Sequence, residues 1–215
     1  MGSVTTMKIQ DNKRLMKLMS FLVMSDGCVS YNRGVGNATF SFSQTEDHAD
    51  YVEYVGGIVN NITSYKTYTS VRDGNRKNLI KLFTPVHPYF NKLHDRIYVN
   101  SYKSVDPHAL KLLDFEALAI MYMGDGCLGK TKRPDGEPSY TTTISMCRLS
   151  YGDQLLVKNT IRDNLGIEFN VVKTGVKYYT LRLRSKDADS FFNGIKPFVL
   201  PSFYYKTDFR TNNPV

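Results

Sequence analysis

The sequence predicts an α+β fold made of two pseudo-symmetric αββαββα units. Two observations carry this expectation: an internal repeat at nearly constant spacing, and the same order of helix-like and strand-like segments within each copy. Repeats of this kind reset every later reading of a chain. FLVMSDGCVS (21–30) lines up with IMYMGDGCLG (120–129), so that Asp26, Gly27 and Cys28 match Asp125, Gly126 and Cys127. Downstream, Phe90-Asn91 matches Phe192-Asn193, and Ser101-Tyr102-Lys103-Ser104 matches Tyr204-Tyr205-Lys206-Thr207. Three similarities in one order divide the chain into a tail (1–10), a first repeat (11–96), a linker containing Pro107 (97–113) and a second repeat (114–215).

Each repeat opens on an apolar helix, 12–25 and 114–124, with Asp11 and Asp114 as N-caps. Strands are expected next at 28–31 and 38–43, and at 127–130 and 140–148, separated by the turn residues GVGN and PDGEP. A helix of mixed polarity follows, 46–60 and 150–165. Then comes a second strand pair, 64–72 with 77–83 and 167–173 with 176–184, turning at Asp73-Gly74 and Gly175. A final helix, 86–95 and 187–196, completes each copy.

Period-two alternation assigns the sheet faces. Tyr179, Leu181 and Leu183 point one way and Thr180, Arg182 and Arg184 the other, while Ile80 and Leu82 flank Lys81. Arg33, Arg72, Arg76, Lys130, Lys132, Arg133, Arg148 and Lys173 also fall in or beside these strands. A basic two-stranded ribbon fits the DNA major groove.

Charge agrees with that reading. The net +8 divides evenly: residues 1–107 carry 13 Lys/Arg and 9 Asp/Glu, and residues 108–215 carry 15 and 11. A polyanion met along the whole molecule suits this distribution better than one met by a basic tail. No apolar run approaches a membrane span. Three cysteines without a CxxC indicate neither a disulfide framework nor a zinc knuckle, so a reducing interior is the expectation, an organelle matrix or a bacterial or phage-host cytoplasm.

The chemistry is expected at the two Asp-Gly helix ends. Residues 18–25 and 117–124 are uncharged, so both helix ends are buried on several sides, and Ser20, Ser25, Ala119 and Gly124 allow the pair to approach closely. That packing sets Asp26 beside Asp125, each at the unfavourable end of a helix dipole and each repelling the other. Hard divalent cations with oxygen ligands would neutralise the pair, activate a water and stabilise the leaving oxygen of a phosphodiester. The bland alternative is that each Asp-Gly merely ends a helix, with glycine in the left-handed conformation.

LAIMYMGDG (118–126) resembles the nine-residue LAGLIDADG motif, keeping Leu118, Ala119, Asp125 and Gly126, and MSFLVMSDG (19–27) is a looser copy keeping Leu22, Asp26 and Gly27. Two copies with this element order resemble the single-chain LAGLIDADG homing endonucleases over nearly the whole length. IKPFVLPSFYYK (195–206) is most similar to the intron-encoded branch typified by the yeast mitochondrial omega endonuclease. The resemblance implies saddle-shaped antiparallel sheets on a long, asymmetric double-stranded DNA site. It also implies Mg²⁺ or Mn²⁺ held by Asp26 and Asp125, active-site lysines at Lys103 and Lys206, and action as a monomer. Met24 and Met123 stand at a motif position that is often acidic in the family. A maturase acting on intron RNA with the same fold, and a DNA-binding protein without catalysis, are the alternatives.

Overall fold

The computed structural model describes residues 8–31, 36–74, 76–176 and 178–208. The first half contains α1 (Asn12–Met24), β1 (Cys28–Tyr31), β2 (Ala38–Thr45), α2 (Ala49–Val59), β3 (Lys66–Ser70), β4 (Leu79–Phe83) and α3 (Pro88–Ile97). A short hairpin, β5 (Tyr98–Val99) with β6 (Tyr102–Lys103), and one helical turn, α4 (Pro107–Leu110), lead into the second half. That half repeats the order as α5 (Phe115–Asp125), β7 (Gly126–Lys132), β8 (Pro138–Ile144), α6 (Tyr151–Leu165), β9 (Phe169–Thr174), β10 (Tyr178–Leu183) and α7 (Ala188–Ile195). Each half carries one four-stranded antiparallel sheet, ordered β1-β2-β4-β3 and β7-β8-β10-β9.

The apolar helices α1 and α5 start where their caps stand: Asp11 accepts from Lys13 N at 2.8 Å and Asp114 from Ala117 N at 3.0 Å. From Leu18 to Met24 and from Glu116 to Met123 every residue is buried. The helices pack against each other at the centre of one continuous core. Their N-terminal ends are locked by charge. The buried Lys17 ammonium bonds Glu116 Oε2 at 3.1 Å and also Asp114, and Arg14 forks onto Glu116 at 2.6 and 3.2 Å. This cluster joins the two helix starts, so the helices run parallel and their Asp-bearing ends emerge together.

Three details add to or revise the sequence expectation. The stretch 97–113 is structured: Asn100 and Ser101, with φ of 50° and 67°, make the two-residue turn of the β5–β6 hairpin, and buried Asp106 caps α4 while accepting from Ser20 Oγ at 2.8 Å. In the second repeat β8 stops at Ile144, not 148, because Ser145 N donates to Asp125 O at 2.8 Å and the chain turns away. The tail is docked where it is described, with Ile9 packed on the core and its N–H on Asn61 Oδ1 at 2.9 Å.

Candidate active site

Asp26 and Asp125 line one cavity of about 230 Å³ together with Met24, Ser25, Ser145, Met146, Cys147 and Arg148. Backbone geometry at the helix ends makes room for it. Neither motif glycine is left-handed: Gly126 has φ −81°, and Gly27 lies outside the positive-φ region. What both positions require is space. A Cβ on Gly27 would stand 2.8 Å from Leu22 O, and one on Gly126 would collide with Tyr122 O. Gly124 is the contact point between the helices, where a Cβ would strike Ser25 Oγ and stand 2.9 Å from Asp26 Oδ2. The simple left-handed cap is thereby replaced by a close-packing requirement on three glycines.

The two carboxylates are partly buried and unfavourably charged. Burial, then the neighbouring Asp26 charge, pushes the Asp125 carboxyl up to about 6. Burial also raises Asp26, opposed by Lys206, Lys103 and a hydrogen bond from Gln44 Nε2 to Asp26 Oδ2 at 2.6 Å. The protein supplies part of the compensation through its two repeated lysines. Lys103 Nζ donates to Ser25 O at 2.9 Å and Gly27 O at 2.8 Å, and Lys206 Nζ donates to Met123 O at 2.7 Å. Each ammonium therefore sits on the carbonyl end of its own repeat's motif helix, where the dipole favours a cation. Burial, then Arg148, lowers Lys103 to about 8, and burial lowers Lys206.

The donor set fits a hard divalent cation: two carboxylates, one of which burial and then its neighbour's charge hold protonated well above the ordinary carboxylate range, both facing one cavity. Among the described residues no cluster of three or more His, Cys, Asp and Glu side chains could hold a metal by itself. Further ligands would come from phosphate and water oxygens, the usual habit of Mg²⁺.

Register sorts the predicted DNA-binding residues. Cross-strand partners share a face. Lys81 opposes Ser43 and Tyr68, putting it on the outer, hydroxyl-rich face with Ser41 and Lys66, its ammonium 5.6 Å from the Tyr68 ring centre. Arg72 and Arg76 are exposed in the β3–β4 connection, and Arg182 is exposed on the face of Thr143 and Asn170. Arg148 belongs to the acidic cavity itself. Five others are also exposed but placed differently. Lys130, Lys132 and Lys173 fall on the side of Leu128, Ile144 and Leu181, because lying in a strand does not fix which face a residue occupies. Arg133 and Arg184 line a groove with Phe192 of α7, and Arg184 is ion-paired with Glu168. Thr180, expected to face outward, is buried and bonded to Ile144 O at 2.9 Å. Arg33 lies outside the described residues. Sequence reasoning did not single out Gln44, whose place at the end of β2 carries no motif.

The fold and the site define a duplicated α+β protein with paired acidic helix ends at its centre. The chain belongs to the LAGLIDADG DNA endonuclease family, whose model matches residues 17–191. It is 25% identical to the cytochrome b mRNA maturase bI2 of Debaryomyces hansenii over 203 residues, 91% of this chain and 74% of the relative. The homing endonuclease I-WcaI, solved bound to its DNA recognition sequence, superposes with a TM-score of 0.75 at 16% identity, covering 95% of this chain and 90% of that one. I-DmoI, solved in complex with DNA and Mn, superposes with a TM-score of 0.51 at 10% identity, covering 86% and 97%. At these identities the solved structures establish the fold.

Proposed function

We propose that the protein is a monomeric, site-specific DNA endonuclease that cuts both strands of a long, asymmetric target, one repeat on each half-site, as a single-chain enzyme of the intron-encoded branch. The observation that carries this reading is the meeting of Asp26 and Asp125 in one cavity, with Lys103 and Lys206 each bonded to the helix end beside them. Mg²⁺ or Mn²⁺ held by the two carboxylates would supply Lewis-acid activation of water and stabilisation of the leaving oxygen. Gln44 occupies Asp26 Oδ2, which leaves Oδ1 for the cavity. Lys103 spends two of its three N–H groups on Ser25 O and Gly27 O, so one remains for a phosphate oxygen or a water. Lys206 spends one on Met123 O and keeps two. Beyond the cavity, Lys81, Arg182 and the Ser/Thr rows of the outer faces offer hydrogen bonds to base edges and phosphates.

The maturase relative favours a second reading, in which the same chain assists splicing of an intron RNA. Incubation of purified protein with a duplex spanning the intronless insertion site, with and without Mg²⁺, separates the two. Mg²⁺-dependent double-strand cutting supports the endonuclease; DNA left intact while intron splicing is accelerated supports the maturase alone.

A further inference from the structure

The two repeated lysines stand on segments that are held down by the opposite repeat. Lys206 ends a 3-10 turn, Pro201–Lys206, in which Ser202 N donates to Asp50 Oδ2 at 3.1 Å, in the first turn of α2. His48 Nδ1 lies 3.1 Å from Ser202 Oγ, and its ring stacks on Phe203 at 4.1 Å with an interplanar angle of 9°. Lys103 ends β6, and the next residue, Ser104, donates through Oγ to Asp153 Oδ1 at 3.0 Å, in the first turn of α6. Asp50 and Asp153 are separated by the same number of residues as Lys103 and Lys206, so the two acids are counterparts, though one receives a backbone N–H and the other a serine hydroxyl.

The acidic centre thus carries two lysines, each bonded to its own repeat's motif helix but standing on a segment clasped by the other repeat: Lys206 by Asp50 and His48, and Lys103 through Ser104 by Asp153.

Building on the endonuclease reading, we infer that Asp50 and His48 on one side, and Ser104 with Asp153 on the other, are positioning residues that each govern the cutting of one DNA strand. A lysine released from its clasp keeps its charge but loses its aim, and small misplacements near reacting atoms cost large factors in rate. The test measures the rate of each strand separately on a duplex labelled differently at its two 5′ ends. Asp50→Ala is expected to slow one strand about tenfold or more and leave the other within about twofold, so that nicked DNA accumulates. Ser104→Ala should do the same to the opposite strand, and Asp50→Asn, which keeps an acceptor for Ser202 N, should restore balanced cutting. Ser104→Ala removes a single hydroxyl and keeps the test decisive if Asp50→Ala unfolds. Equal slowing of both strands, loss on the same strand for both variants, or unchanged rates overturns the inference while wild-type cutting preserves the endonuclease reading. A wild-type protein that cuts neither strand overturns both.

Discussion

Lys17 and Glu116 occupy equivalent places in the two repeats, 99 residues apart, and bond each other at 3.1 Å in the buried start of the central helix pair. In a symmetric dimer of identical halves each residue would meet its own copy there. Opposite charges at equivalent positions require a fused chain whose halves have diverged. The pair fixes the parallel register that delivers Asp26 and Asp125 to one cavity. Lys17→Met strands Glu116, which retains only Arg14, and is expected to cost about 3 kcal/mol in chemical denaturation. Lys17→Met/Glu116→Leu, which leaves no lone buried charge at the contact, should recover most of that loss.

Gly124 tests the closeness of the helix pair at its other end. Gly124→Ala places a methyl against Ser25 Oγ and Asp26. The expected cost is about 1–3 kcal/mol by denaturant titration, from overpacking at a site with no slack. Gly129→Ala, whose added methyl would have Thr141 O as its nearest neighbour at 3.6 Å, is the control and should cost less.

Asp125 carries a pH signature. Its folded-state value of about 6 exceeds the ordinary carboxylate value of about 4, so the folded form prefers the neutral acid. Metal-free wild type should lose stability as pH rises from about 4 through about 6. Asp125→Asn, which cannot ionise, should therefore be more stable than wild type by about 1–2 kcal/mol at pH 8 and show no advantage at pH 4. Melting temperatures of both proteins across this range check the sign.

The same proton competes with a cation. Below about pH 6 Asp125 holds its proton, so the Mn²⁺ concentration that half-saturates the metal-free protein should rise about fivefold as pH falls from 6 to 5. Calorimetry in two buffers of different ionisation heat would register the proton released on binding. Binding that is independent of pH between 5 and 7 would place the cation elsewhere.

Much of this architecture was legible in the sequence because it rests on local signals that repeat. Asp11 and Asp114 precede apolar helices and cap them, and Asp26 and Asp125 come together because two uncharged helix ends have no other place to bury themselves. What stayed hidden depends on tertiary register. Only strand pairing puts the exposed Lys130 and Lys173 on the side of Leu128 and Leu181, which alternation within one strand does not reveal. Arg148 lies beyond the end of β8 at Ile144, and its part in the acidic cavity follows from the early turn made by Ser145 N on Asp125 O. Gln44 and the Asp50–Ser202 clasp join segments 18 and 152 residues apart, where no periodicity reports on a contact.

Catalysis by the two aspartates acting together is read from single-residue variants. Asp26→Asn, Asp125→Asn and wild type should be compared on one target duplex for binding by gel shift in Ca²⁺ and for cutting in Mg²⁺. All three should bind with affinities within about tenfold of one another, and only wild type should make a double-strand break. Double-strand cutting by Asp125→Asn at the wild-type rate would rule out joint catalysis by the two aspartates.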